Sequence, residues 1–386
     1  METEAEIQIL PKEFPTGIEM EFAKAEKPVM LVTGSSGMIG SKIVTTFTPH
    51  YRVVGVDLKP PEQDVAGAEW MECDLTKDDS INQTLRRVRE KYGELVASVI
   101  HLAAYYDFSG EPNSLYRRLT VEGTRRLLEE LQGFQVEQFV FSSSLLVMKP
   151  AEEEDEIITE QSPVESVEEA WDYPRSKLEA ERVIRQSRGS IPAVILRIAG
   201  VYDDECHSIP IAHQISRIYE KRLESYFFPG DADHGQAFVH LSDLPNLFQR
   251  IVELRYELGS DEVFLIAEPE VMSYHEMQEQ IGELLHGAEW PAIRIPKVVA
   301  KAGAWAQENI LGMGTFIKPW MVDLADTHYP VEIERARKRL GWEPQHRLRD
   351  TLCKMVGSLL ENPQRWYEIN GLTKREGKKE RKAKAR

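Results

Sequence analysis

The sequence predicts an α/β fold, a doubly wound parallel sheet with a smaller C-terminal lobe. From Pro28 onward, short apolar runs alternate with amphipathic stretches through short links, the pattern of strands joined by crossover helices. A glycine-rich turn, Gly34 to Gly40, joins the first apolar run to the first amphipathic one. After Gly200 the alternation loosens and prolines multiply, which marks the lobe.

VMLVTG (29–34) reads as a buried strand and MIGSKIVTTF (38–47) as the helix that follows it. YRVVGVD (51–57) is the second strand, and a short third one precedes MECDLTKD. SINQTLRRVREKY (80–92) is helical, LVASVIHLAA (95–104) contains a strand, and SLYRRLTVEGTRRLLEELQ (114–132) reads as one helix. EQFVFSSS (137–144) is a strand; EEAWDYPRSKLEAERVIRQS (168–187) is a helix; AVILRI (193–198) is again a strand. Right-handed crossovers then place helices on both faces of the sheet. Beyond Gly200, a helix is expected over 208–224 and an irregular stretch over 227–236. FVHLSDLPNLFQRIVE (238–253) reads as a strand end and helix returning to the main sheet. Residues 258–345 belong mostly to the lobe.

The 386 residues suffice for one large domain or two modest ones. No apolar run approaches the roughly 20 residues of a membrane helix. The acidic opening METEAEIQIL lacks the basic-then-apolar order of a secretory signal. Cys73, Cys206 and Cys353 are too widely spaced for a disulfide framework or a zinc site. A cytoplasmic, reducing compartment and no metal are therefore expected. The net charge of -17 argues against a nucleic-acid partner. Residues 374–386 carry a net +6 as a basic tail, so the remainder sums to -23. Membrane contact is not expected; the segments that could supply it are this tail and the amphipathic stretch 295–323.

Gly34, Gly37 and Gly40 follow G-x-x-G-x-x-G, with Ser35, Ser36, Met38 and Ile39 between them. A strand–turn–helix of this kind lets a pyrophosphate approach the backbone and meet free N–H groups at the helix start. Asp57, at the end of the second strand about 20 residues on, completes the dinucleotide fingerprint. Its carboxylate suits the adenosine ribose hydroxyls and would repel a 2′-phosphate, so NAD is favoured over NADP. Asp74 and Leu75 follow the third strand, where they could hold the adenine; Asp74 could equally cap a helix.

Tyr173 and Lys177 form Y-x-x-x-K, a spacing that puts phenol and ammonium on one helix face. The ammonium is expected to lower the phenol's pKa, so that Tyr173 exchanges a proton with a substrate oxygen near neutrality. Ser142, Ser143 and Ser144 end a strand where a parallel sheet opens onto its ligand crevice. Ser144 is the expected donor to that oxygen, with Ser143 as the alternative.

Taken together, TGSSGMIG, VIHLAA (99–104), FVFSSS (139–144), YPRSK (173–177), LRIAGVY (196–202) and FVHLSDL (238–244) resemble the extended short-chain dehydrogenase/reductases, also called the NAD-dependent epimerase/dehydratase family. The resemblance runs from about Pro28 to Asp350. It implies hydride transfer between nicotinamide and a carbon bearing oxygen, with Ser144, Tyr173 and Lys177 as the working triad. It also implies a cofactor cleft lined by His101, Leu102, Ala103 and Ala104, and a homodimer. Nucleotide-sugar members usually carry Asn at the Gly200 position and Arg at the Gln236 position. Sugar dehydratases place an acidic pair where this chain has Leu145 and Leu146. These departures point away from dehydration and toward the branch with 3β-hydroxysteroid dehydrogenases and dihydroflavonol reductases. THYPVEIERARKRLGWEP (327–344) resembles that branch's C-terminal signature.

The resulting division is an N-terminal arm (1–27), a Rossmann-type NAD-binding domain (28–200 plus 238–257), a substrate lobe (201–237 plus 258–350), a C-terminal helix (351–373) and the basic tail. Tyr105, Tyr106, Phe108 and Tyr202 follow strand ends and are candidate substrate-lining residues, with packed loops as the alternative. The substrate is expected to be a secondary alcohol or ketone that is mostly apolar or modest in size. Two other readings share the same cofactor loop: a nucleotide-sugar 4-epimerase holding NAD, and a non-catalytic dinucleotide sensor.

Overall fold

The computed structural model describes residues 27–107, 111–153, 155–300, 322, 325 and 327–372. The N-terminal arm apart from Lys27, Phe108, most of 295–323 and the basic tail lie outside the described residues.

The chain begins with β1 (Val29–Thr33), α1 (Met38–Phe47), β2 (Arg52–Asp57), β3 (Ala68–Glu72), α2 (Asp78–Tyr92) and β4 (Leu95–His101). It continues through α3 (Glu122–Leu131), β5 (Phe139–Ser144), α4 (Asp172–Ser187) and β6 (Ala193–Ile198). Then follow β7 (Gly200–Tyr202), α5 (Ile209–Tyr219), β8 (Phe227–Pro229), β9 (Phe238–His240), α6 (Leu244–Glu253) and β10 (Asp261–Ile266). The last elements are α7 (Tyr274–His286), β11 (Ile293–Ile295), α8 (Glu334–Leu340), α9 (Leu348–Glu361) and α10 (Pro363–Ile369).

The main sheet has the order β10-β6-β5-β4-β1-β2-β3, every neighbouring pair being parallel. It is the doubly wound, Rossmann-type α/β fold that the alternation predicts. Strand residues alternate between two apolar layers, as a two-residue side-chain period requires. Met30, Val32, Val140 and Leu196 point into a layer with α1 and α6. Val29, Leu31, Phe139, Phe141 and Ile195 point into the opposite layer with α2, α3 and α4. A third core unites Tyr202, Ile215, Ile281, Leu352 and Trp366 beneath α5, α7, α9 and α10. The strand order reverses between β1 and β4, so the connections that leave their carboxyl ends run in opposite directions and open a crevice.

Several elements differ from expectation. The last strand of the main sheet is β10, which pairs with β6 from Asp261↔Ala193 to Ile266↔Ile198, although its segment was assigned to the lobe. Residues 238–240 do not rejoin the main sheet: they pair with β7 in a separate two-stranded sheet. With β10 occupying the free edge of β6, that position is closed to β9. The 114–132 stretch opens as a π-helical turn, Tyr116–Val121, before α3. The expected C-terminal helix is two, broken at Asn362, whose side chain accepts from Arg365 N at 3.1 Å and caps the second.

Candidate functional site

The glycine turn lies at the carboxyl end of β1. Gly34 has φ +69°, and a Cβ there would sit 2.8 Å from Ala103 N, so glycine is required twice over. A Cβ on Gly40 would lie 2.1 Å from Gly34 O, which fixes how closely α1 approaches the turn. Gly37 caps α1 without any side-chain hydrogen bond, so the helix start offers backbone N–H groups outward. The Ser35 hydroxyl turns inward: it is buried, has no hydrogen-bond partner, and would meet a Cβ on Gly55 at 2.8 Å. Only the Ser35 backbone faces the expected ligand side. Asp57 accepts from Ser36 N at 3.0 Å and Lys59 N at 3.3 Å, while the Ser36 hydroxyl donates to Lys59 O at 2.7 Å. The carboxylate is thus locked beside the glycine turn.

A glycine cradle, an uncapped helix start and a strand-end carboxylate suit an NAD dinucleotide. Gly34–Gly40 would take its pyrophosphate and Asp57 its adenosine ribose. Asp74 does not cap α2, whose N-cap is Lys77. Its carboxylate instead accepts from the Thr76 hydroxyl at 2.7 Å and Thr76 N at 2.9 Å, and pairs with Lys77 at 2.9 Å. Burial acts to raise this carboxyl, but the Thr76 and Lys77 contacts outweigh it and hold it below its ordinary range. Leu75 is buried against Gly123, in the layer under α3.

Across the crevice, β4 ends in His101, which is fully buried. Thr124 donates its hydroxyl proton to Thr120 O at 2.6 Å, so it accepts from His101 Nε2–H at 2.8 Å. His101 Nδ1 then accepts from the Thr33 hydroxyl at 2.6 Å, and Thr33 Oγ1 in turn accepts from Ala103 N at 3.3 Å. Burial first, and then Lys177, push the imidazole down to about 3, which keeps this chain of hydrogen bonds neutral. Leu102 N donates to Thr33 O at 3.1 Å. These bonds fix the backbone of Leu102–Ala104 opposite the glycine turn. The π-helical turn supplies Thr120, whose hydroxyl also accepts from Tyr105 N at 3.0 Å.

Ser144, Tyr173 and Lys177 come together at the carboxyl edge of β5. The Ser144 hydroxyl accepts from Leu146 N at 3.2 Å and lies close enough to the Tyr173 phenol to act against the effect of burial on its pKa. Lys177 is buried beneath: its ammonium donates to Ser142 O at 2.6 Å and lies 6.0 Å from the Tyr173 ring centroid. The phenol is not lowered as the Y-x-x-x-K spacing suggested. Burial raises it to about 12, with Ser144 opposing and the nearby Tyr116 phenol adding to the rise. Burial likewise lowers Lys177 to about 7, with Glu181 opposing.

Strand alternation separates the serines. The Ser143 hydroxyl donates to Glu181 Oε1 at 2.6 Å, so Ser143 is committed to a buried network. Arg197 completes that network with a two-pronged grip on Glu181, at 3.1 and 2.8 Å. Sequence reasoning missed this pair. Its only signal was Glu181 one helical turn beyond Lys177.

Ser144 and Tyr173 open onto a cavity of about 560 Å³ between the sheet edge and the lobe. Tyr106 lines it, with its ring edge-on to Tyr173 at 5.0 Å. Tyr105 does not line it. Its ring packs on Tyr116 and its hydroxyl accepts from Asn113 at 2.8 Å. Tyr202 is also corrected: it is fully buried in the third core, donating to Glu268 at 2.5 Å. At Gly200, a Cβ would lie 2.8 Å from the Phe238 ring. Gln236 is engaged with Thr327, donating to its carbonyl and hydroxyl at 2.9 and 2.8 Å. No cluster of His, Cys, Asp and Glu suited to a metal occurs among the described residues. None of their helices is long and apolar enough to cross a membrane.

A family model described as NAD dependent epimerase/dehydratase matches residues 30–267. The chain is similar to 3 beta-hydroxysteroid dehydrogenase type 7 of Homo sapiens, 25% identical over 368 residues covering 86% of this chain and 96% of that protein. It is also similar to the UDP-glucose 4-epimerase of Vibrio cholerae, 23% identical over 86% of this chain and 95% of the epimerase. Among solved structures, MoeE5 in complex with UDP-glucose and NAD superposes with a TM-score of 0.63 at 23% identity, covering 86% of this chain and 99% of that one. At that identity the likeness is one of fold.

Proposed function

The chain belongs to the NAD-dependent epimerase/dehydratase family, and on that premise we propose that it is an oxidoreductase acting on a secondary alcohol or ketone of largely apolar character. When bound, NAD supplies the hydride acceptor or donor. Ser144 holds the substrate oxygen by a hydrogen bond as charge develops on it. Tyr173 exchanges the proton with that oxygen; with its phenol at about 12, it stands protonated at neutral pH and ready to donate. Lys177, beneath the phenol and lowered to about 7 by burial, supplies a positive charge while it holds its proton, and that charge favours proton release from Tyr173 in the reverse direction.

One observation carries this reading: Ser144 and Tyr173 meet over Lys177 at the mouth of a cavity walled mainly by apolar side chains, among them Ile198, Phe228, Met272 and Met277. The similarity to the human hydroxysteroid dehydrogenase supports it. The similarity to the Vibrio cholerae epimerase favours a second reading, a sugar-nucleotide epimerase. Against that stand Gly200, whose place for a longer side chain is filled by the Phe238 ring, and Gln236, engaged with Thr327. The deciding assay offers NAD with a panel of apolar secondary alcohols, and separately UDP-glucose, following NADH formation and UDP-galactose. NADH formation from an alcohol is expected; interconversion of the UDP-sugars with no alcohol oxidised would reverse the assignment. A homodimer belongs to the same proposal, to be measured by sedimentation equilibrium.

A further inference from the structure

Although the chain carries a net charge of -17, no Asp or Glu lines the cavity among the described residues. Arg217 does line it, from the last turn of α5 on the lobe side. Among the described residues its guanidinium has only neutral partners. Nε donates to His213 O at 3.3 Å; Nη2 donates to Tyr274 Oη at 3.3 Å and to the Gln214 side-chain carbonyl. Nη1 makes no bond to any described residue. A half-buried cation that meets no carboxylate among the described residues is costly to retain, and the cost is relieved when an anion arrives.

The guanidinium is also held in place. The Tyr274 hydroxyl donates to Gln214 Oε1 at 2.6 Å, Gln214 Nε2 donates to Gln278 Oε1 at 2.7 Å, and Gln278 Nε2 donates to Pro291 O at 2.7 Å. Gln214 and Gln278 are both buried. A relay of neutral amides from α5 to α7 therefore fixes the fork before any ligand binds. Around it the wall is greasy: the Phe228 ring lies 3.8 Å from that of Tyr274, and Met272 and Met277 lie nearby in the lining. A cation set in apolar walls matches a molecule with an apolar body and one anionic group.

We propose that the substrate is an apolar secondary alcohol or ketone that itself bears an anionic group, a carboxylate or phosphate, and that Arg217 is the specificity-determining residue that pairs with it. The inference rests on the reaction proposed above and names the substrate class within it. Arg217 is a different residue from Ser144, Tyr173, Gly200 and Gln236, which line the same cavity. With Nε and both Nη2 hydrogens engaged, the two N–H groups of Nη1 are the ones left to meet an anion.

The test uses NAD-loaded protein and two matched pairs of probes, 12-hydroxyoctadecanoate with its methyl ester and lithocholate with its methyl ester. Binding is measured by calorimetry and turnover by NADH formation, for wild type, Arg217→Gln and Arg217→Lys, with melting curves confirming that each variant folds. For at least one pair, wild type is expected to prefer the acid in Kd and KM. Arg217→Gln should reduce that acid-to-ester preference by about ten- to a hundredfold, the range for a hydrogen bond to a charged group. Arg217→Lys should recover part of it. Equal handling of acid and ester by wild type, a preference untouched in Arg217→Gln, or no binding of either acid would overturn the inference. UDP-glucose is run alongside; if it binds through Arg217 and the acids do not, the anion is a nucleotide diphosphate and the proposal fails. Arg217-dependent binding of an acid without oxidation would keep the inference and sink the reaction, whereas oxidation of acids and esters alike would do the reverse.

Discussion

Lys177 keeps a buried ammonium under the phenol of Tyr173, and burial lowers it to about 7 against an unfolded value near 10.4. Below pH 7 both folded and unfolded chains carry the proton, and the folded state bears the full cost of burying the charge. Between about 7 and 10.4 the unfolded chain binds the proton and the folded one does not, so this group adds stability as pH rises. Lys177→Met should therefore melt higher than wild type near pH 6–7, and the difference should shrink toward pH 10. Thermal denaturation across that range checks it; a difference independent of pH would contradict the burial argument. Gly40→Ala tests the cofactor turn at the same scale. With a Cβ 2.1 Å from Gly34 O, the turn or α1 must move, and NAD affinity by calorimetry should fall roughly tenfold or more. Both positions were legible in the sequence because their chemistry is local: a glycine turn and an i, i+4 pair. The inward hydroxyl of Ser35 and the buried hydroxyl of Tyr202 were not, since what takes them in, Gly55 and Glu268, lies 20 and 66 residues away.

Helix α4 presents Tyr173 and Lys177 accurately because its next turn is anchored from below. Glu181 is fully buried between the Ser143 hydroxyl and the Arg197 guanidinium, which ties α4 to β5 and β6 at once. Removing Arg197 leaves the buried Glu181 carboxylate with only the more distant Arg185 guanidinium, at 3.6 Å. Arg197→Met should cost about 3–5 kcal/mol in urea denaturation. The double variant Arg197→Met, Glu181→Met should recover much of that loss, because two apolar side chains replace a buried pair. If the single variant is as stable as wild type, the network does not anchor the helix. The alternation of apolar runs made β1, β2, β4, β5 and β6 legible, since each is a run of Val, Ile, Leu, Met or Phe next to a helix. Strand β10 escaped because its partner, β6, lies 68 residues earlier, and DEVFLI follows a helix and turn that look like lobe. The π-helical turn was hidden by a helical period, although it sets Thr120 and Thr124 around His101.

At the scale of the whole molecule, the crevice between β1 and β4, the Ser144, Tyr173 and Lys177 cluster on β5 and α4, and the lobe cavity all lie at the carboxyl edge of the sheet. The sequence marked the first two of these. The third needed coordinates, because its lining is gathered from α5, β8, α7 and the 234–238 segment, with no shared motif. The account stands on Tyr173 as the group that exchanges a proton with the substrate oxygen. Its most direct test is a rapid-mixing measurement of NADH formation in NAD-loaded wild type and Tyr173→Phe, with NAD affinity measured in parallel. The predicted result is NAD binding within about twofold of wild type and hydride transfer slower by roughly 10² to 10⁴. Transfer at the wild-type rate in Tyr173→Phe would contradict it.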